Sequence, residues 1–113
     1  LETVLLLLDR GANINARNNL GSTALIHASG SGHLEIARLL LDRGADINAR
    51  NNLGSTALMI ANRYRHLEMA KLLLDRGADI NTRNNDGDTP LMLARQNGHL
   101  EIADLLIARG AIE

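Results

Sequence analysis

Cysteine, phenylalanine and tryptophan are absent from the 113 residues, and Tyr64 is the sole aromatic side chain. Without cysteine there is no disulfide framework, no thiolate zinc site and no cysteine nucleophile. Without aromatic bulk, the core has to be assembled from Leu, Ile, Ala and Met, which suits short helices in close contact. Proline occurs once, at Pro90, and lysine once, at Lys71, and no Gly-x-x-x-x-Gly-Lys phosphate loop is present. Long apolar runs are missing as well. The stretch from Val4 to Leu8 is too short to span a bilayer and lacks the basic flank of a secretory signal. No membrane association is expected, and the chain fits an intracellular, cytoplasmic setting, with the nucleus left open. Charge of one sign is not in excess: the net value of −1 excludes a general polyanion binder. Eleven arginines are interleaved with thirteen acidic residues, and one tyrosine makes no stacking platform, so nucleic acid is not an expected partner.

What is there is an ordinary folded composition, 45% apolar and 22% charged, at a length that fits one domain over residues 1–113. Its organisation is a repeat. Gly11 to Arg43, Gly44 to Arg76 and Gly77 to Arg109 align without a gap at 33 residues. Residues 1–10 align with the second half of a repeat, and residues 110–113 open a further one. Leu1 is not a start methionine, which is expected of a piece of a longer chain or a processed product. The first two full repeats match at 24 of 33 positions, so their duplication is recent or their sequence was regularised.

Each repeat reads as turn, helix, turn, helix. Asn18-Asn19-Leu20-Gly21 and its copies carry turn chemistry, with glycine supplying a positive φ. Thr23, Thr56 and Thr89 are N-caps for a first helix, and Pro90 sits at a first helical position, where its missing N–H costs nothing. Leu25 and Ala28, with Leu58 and Ala61, give that helix a narrow inward stripe. A second helix begins near His33, His66 and His99, carries a leucine-rich face, and stops at Gly44, Gly77 and Gly110 in the left-handed cap position. Helices this short hold only by burying each other's faces. The expected architecture is an all-α solenoid of stacked helix-turn-helix units.

Thr89-Pro90-Leu91-Met92-Leu93-Ala94, Gly98-His99-Leu100-Glu101-Ile102 and Gly44-Ala45-Asp46-Ile47-Asn48-Ala49 resemble the ankyrin repeat in three in-register copies. The resemblance covers essentially the whole chain. It departs from the pattern where histidine normally follows Thr-Pro-Leu: Ile26, Met59 and Met92 stand there instead. The resemblance implies protruding loop or β-hairpin fingers and a non-catalytic module that grips a protein partner on a concave surface of fingers and first helices. It implies no cofactor.

Comparing the repeats with one another separates positions that stack from positions free to diverge. Divergence concentrates where Ser29-Gly30-Ser31-Gly32 becomes Asn62-Arg63-Tyr64-Arg65 and then Arg95-Gln96-Asn97-Gly98. The middle version sets the only aromatic between two arginines, and Tyr and Arg are favoured at binding hot spots. Arg63, Tyr64 and Arg65 are therefore candidate contact residues, with Gln96 and Asn97 beside them. The alternative is a tolerated turn whose Tyr64 covers a neighbouring helix end. Arg65 also stands where the other repeats have glycine, at a cost of about 1 kcal/mol if the site needs a positive φ. The second candidates are the finger tips: the recurring Arg17, Arg50 and Arg83, then Asn19 and Leu20, Asn52, Leu53 and Ser55, and Asn85, Asp86 and Asp88. The alternative for the arginines is pairing with Asp46 or Asp79 to brace the stack.

Charge is uneven, about +2 over residues 44–76 and −2 over 77–109, which would steer a partner bearing an acidic segment. The equivalent histidines 33, 66 and 99 lie too far apart for one metal and read as hydrogen-bonding residues. His27 reads as partly buried and satisfied. No acid pair and no Ser-His-Asp set points to catalysis. If the leucine-rich helix of residues Leu1 to Arg10 is left uncovered, it is expected to self-associate or to pack on sequence outside this stretch. The rival to a binding role is a structural segment of a longer array, or an engineered, regularised scaffold with no partner of its own.

Overall fold

The computed structural model describes Leu6 and residues 10–113. Among residues 10–113 six helices follow in order: α1 (Ala24–Ser31), α2 (Leu34–Asp42), α3 (Ala57–Arg63), α4 (Leu67–Asp75), α5 (Pro90–Gln96) and α6 (Leu100–Ala108). They form two layers. The first helices α1, α3 and α5 stack on one another, the second helices α2, α4 and α6 do the same, and each first helix packs on its own second helix. The result is an elongated stack of 43 × 25 × 19 Å.

Local chemistry sets the starts of the first helices and the ends of the second. The hydroxyls of Thr23, Thr56 and Thr89 accept hydrogen bonds from the backbone N–H of Ile26, Met59 and Met92, which satisfies a donor the helix start leaves free. At the end of α2 the Gly44 N–H donates to the Leu41 carbonyl and the Ala45 N–H to that of Leu40, a Schellman pair. Gly44 has φ 90° there, a conformation that glycine adopts freely. The same pair of bonds ends α4 and α6.

The core is a spine of leucines spaced by alanines. Leu25, Leu58 and Leu91 from the first helices meet Leu40, Leu73 and Leu106 from the second, all buried. Ala61, Ala70 and Ala94 are fully buried between them. Small side chains at these points let neighbouring helices approach closely, which is how a core without aromatic bulk reaches full density.

Lateral ties join neighbouring repeats about one repeat length apart. The Asp46 N–H donates to Asn15 Oδ1 at 2.9 Å and the Asp79 N–H to Asn48 Oδ1 at 2.8 Å. Arg76 pairs with Asp42 and Arg109 with Asp75, each at 2.9 Å. His66 Nε2 lies 3.0 Å from the Gly30 carbonyl, and His99 Nδ1 2.7 Å from that of Asn62. These histidines tie the start of a second helix to the end of the first helix of the preceding repeat.

One buried group breaks the pattern. Asn62 is fully buried in α3, its Nδ2 donates to the Pro90 carbonyl at 2.7 Å, and its Oδ1 has no hydrogen-bond partner among the described residues. Ser29, its counterpart in α1, satisfies its hydroxyl on the Leu25 carbonyl at 2.7 Å. Asn62→Ala removes the orphaned acceptor and raises helix propensity, at the loss of one hydrogen bond. It is expected to raise stability by about 1 kcal/mol, seen as a higher urea midpoint at unchanged slope.

Candidate partner-binding face

The fingers are tight turns, and no β-strand is present among the described residues. In each, the first asparagine does the folding. Asn18 Oδ1 accepts from the N–H of Leu20 and of Ser22, while the Asn18 N–H donates to the Ser22 carbonyl. Asn51 and Asn84 repeat the arrangement. A residue inside such a turn points outward because the asparagine has already satisfied the backbone on the inside. Leu20 and Leu53 stand there, 70% and 67% exposed.

Neighbouring fingers are laced together. The Asn52 N–H donates to the Leu20 carbonyl at 2.9 Å, and Asn52 Nδ2 donates to the Asn19 carbonyl at 3.0 Å. Asn85 makes the same two bonds to Leu53 and Asn52. The arginine ladder belongs to this lacing. Arg17 Nη1 donates to the Arg50 carbonyl and Arg50 Nη2 to the Arg83 carbonyl, both at 2.7 Å. Arg83 turns back to the carbonyl of Gly87 at 2.8 Å. These arginines do brace the stack, but on backbone carbonyls and not on Asp46 or Asp79. Those two carboxylates instead accept from the N–H of Asn48 and Asn81 within their own turns.

Most of the remaining candidates lie around two adjoining open cavities. One, of about 500 Å³, lies between the first two fingers and is walled by Leu20, Ile26, Leu53, Ile60 and Tyr64. The other, of about 600 Å³, lies between the second and third and brings Leu53, Ser55, Asn85, Asp86 and Asn97 to one hollow. Leu53, Ile60 and Arg63 line both and form the ridge between them. Asn19, Gln96 and Asp88 are absent from both linings, and Gln96 Nε2 donates to Asp88 Oδ1 at 3.3 Å. Arg65 is also elsewhere, lining a hollow of about 460 Å³ with Leu67, His99 and Leu100 beside the second helices.

The middle turn is built differently from its counterparts. The Arg63 guanidinium lies over the Tyr64 ring, 5.6 Å from its centre. That ring rests against Gly30 of α1, where an added methyl would come within 3.6 Å of it and 3.0 Å of Ile60 Cγ2. Tyr64 thus covers the neighbouring helix end and still exposes half its surface. Arg65 is the only non-glycine residue with a positive φ among the described residues, at 61°, where Gly32 and Gly98 have 72° and 69°. An L side chain pays about 1–2 kcal/mol for that conformation, against about 0.4–1 kcal/mol of unfolded-chain entropy that glycine would add. Arg65→Gly is therefore expected to stabilise by about 0.5–1 kcal/mol in equilibrium denaturation.

Two features of this face escaped the sequence. His27 is exposed on it, not partly buried, because the first helix turns that position toward the fingers. Ile60 and Leu93, its counterparts, wall the cavities and were not singled out as contacts, although this position differs in all three repeats and so carried the same signal of divergence. Residues Leu1 to Arg10, to which self-association was assigned, lie outside the described residues except for Leu6 and Arg10, both exposed. No helix among the described residues is long and apolar enough to cross a membrane.

Comparison with known proteins agrees with the geometry. The family model for ankyrin repeats (three copies) matches residues 1–84 and 51–113. The chain is similar to the probable E3 ubiquitin-protein ligase XBOS33 of Oryza sativa subsp. japonica, 50% identical over 38 residues. That stretch is 34% of this chain and 7% of the ligase, so the chain matches well under a tenth of that relative's length. With that match over the whole chain, the stacked helix pairs and the laced fingers, the chain belongs to the ankyrin-repeat family.

Proposed function

We propose that this chain is a non-catalytic module that binds a protein partner on the face built by its fingers and first helices. Ankyrin repeats as a family mediate protein–protein interaction. The observation that carries the reading for this chain is the exposure of Leu20 and Leu53 at the tips of fingers whose backbone and asparagines are already satisfied. Stacking explains the asparagines, the arginines and the glycines. It does not explain leucines held out beside two open hollows, and exposed apolar side chains over hollows of this size are what a docking partner buries.

The rival reading, a stacking segment with no partner of its own, is favoured by the near identity of the first two repeats. A photo-crosslinking residue placed at position 53 or at position 38, on the exposed side of α2, separates the two in extract of the source organism. The binding reading expects a discrete adduct from position 53 and none from 38. Equal yields, or adducts from 38 alone, would overturn it. Silence from both supports the stacking segment.

A further inference from the structure

Most guanidiniums on this molecule are already committed. Arg17, Arg50 and Arg83 donate to backbone carbonyls, and Arg76, Arg95 and Arg109 pair with Asp42, Glu113 and Asp75. Arg63 is not. It makes no ion pair among the described residues and is held only by the Tyr64 ring beneath it. It is exposed, and it stands on the ridge between a mainly apolar hollow and a more polar one, sharing that place with Leu53 and Ile60. The cation–π contact with the ring restrains the guanidinium, so less rotamer freedom is lost when an anion docks. The single carboxylate lining either hollow, that of Asp86, lies on the third finger and is not paired with Arg63.

We infer that the partner presents a polypeptide segment in which a carboxylate side chain is flanked by an apolar one. The carboxylate is received by Arg63, and the apolar side chain fills the hollow between Leu20 and Leu53. The inference deepens the proposed function and rests on it. Charge sets the direction of the segment. The third finger carries Asp86 and Asp88 where the first two carry Leu20 and Ser22, then Leu53 and Ser55. An acidic residue is therefore favoured at Arg63 and disfavoured toward the third finger, where a basic residue gains instead. A lone guanidinium with Asp86 across the hollow also suits a monoanionic carboxylate better than a dianionic phosphate. The hollow between the first two fingers is the one for the apolar group, since Leu20, Ile26, Leu53, Ile60 and Tyr64 wall it and no carboxylate does.

Selection of random dodecapeptides on the immobilised chain, followed by anisotropy titration of an enriched peptide, tests this. Enriched sequences are expected to hold Asp or Glu within a few residues of a large apolar residue. Arg63→Gln, or Glu→Gln in the peptide, is expected to weaken binding about tenfold. The two together should be no worse than either alone, because both remove the same contact. Arg38→Gln, on the exposed side of α2, should change nothing. Arg63 is surface-exposed, so its variant keeps the fold, checked by circular dichroism. Enrichment without acidic residues, additive losses in the double cycle, or no enrichment at all would overturn the inference. Leu53→Ser keeps this failure apart from that of the proposed function. Binding lost on Leu53→Ser but indifferent to Arg63→Gln rejects only the acidic chemistry. Binding indifferent to both rejects the finger face itself.

Discussion

Leu73→Ala is expected to lower the unfolding free energy by about 3–5 kcal/mol, out of the roughly 5–15 kcal/mol that a domain of this kind possesses. Leu73 is fully buried in α4, the helix that packs against α2 on one side, α6 on the other and α3 beneath. Removing its side chain opens a cavity where neighbours cannot collapse, because the alanines around it already let the backbones touch. The location matters as much as the volume. In a stack, each repeat is held by its own helix pair and by its two neighbours. A lesion in the middle weakens both couplings, whereas the same lesion in α6, at Leu106, weakens one. Urea unfolding of Leu73→Ala should therefore show a lower slope as well as a lower midpoint, as the two ends unfold separately, while Leu106→Ala shifts the midpoint more than the slope. Leu100→Ala, at an exposed site on α6, serves as the control and should stay within about 0.5 kcal/mol of the parent.

Gly54→Ala is expected to destabilise by about 2–4 kcal/mol, and Gly87→Ala by only about 1–2 kcal/mol, although the two glycines share nearly the same backbone conformation. Their φ angles are 78° and 82°, so the strain of placing an L side chain there is common to both. What differs is the space. An added methyl at Gly54 would stand 2.5 Å from Asn85 Oδ1 and 2.8 Å from the Asn85 backbone nitrogen, while nothing lies within 4 Å of the same atom at Gly87. Backbone cannot swing aside as a flexible side chain can. The second and third fingers would have to part, which breaks the bonds from Asn85 to the Leu53 and Asn52 carbonyls. The difference between the two variants in one denaturation series isolates the lacing from the strain. Equal losses would mean that the fingers are not coupled through this contact. If the finger face binds as proposed, Gly54→Ala should also weaken peptide binding more than Gly87→Ala does.

The parts of this fold that were legible in the sequence are those whose causes lie within a few residues. A threonine cap, an asparagine turn and a glycine ending a helix each act on backbone groups two to five positions away, so their identity announces their role. The strained backbone of Arg65 was legible for a different reason: Gly32 and Gly98 mark the same site in the flanking repeats. The ladder of Arg17, Arg50 and Arg83 was legible as a ladder but not in its partners. Whether a guanidinium reaches a carbonyl or a carboxylate depends on the distance between stacked repeats, which no local pattern encodes. The exposure of His27 and the orphaned oxygen of Asn62 depend likewise on how first helices sit side by side. The candidate site was half visible. Divergence between repeats picked out Arg63 and Tyr64, and turn chemistry picked out Leu20 and Leu53. Their division into two hollows sharing one arginine appears only when three first helices are laid next to one another.

The side-chain ties between repeats have a further consequence. Those described here join residues 28 to 37 positions apart, from the Asn62–Pro90 bond to the bond between His99 and Asn62. Each therefore closes a loop of about one repeat, a modest entropic demand at every step, and none waits on a distant part of the chain. A ribosome emitting this sequence need release only the next repeat for the previous one to find all its lateral partners. Folding can then keep pace with synthesis as a row of local closures, each exposing one apolar face until its successor arrives.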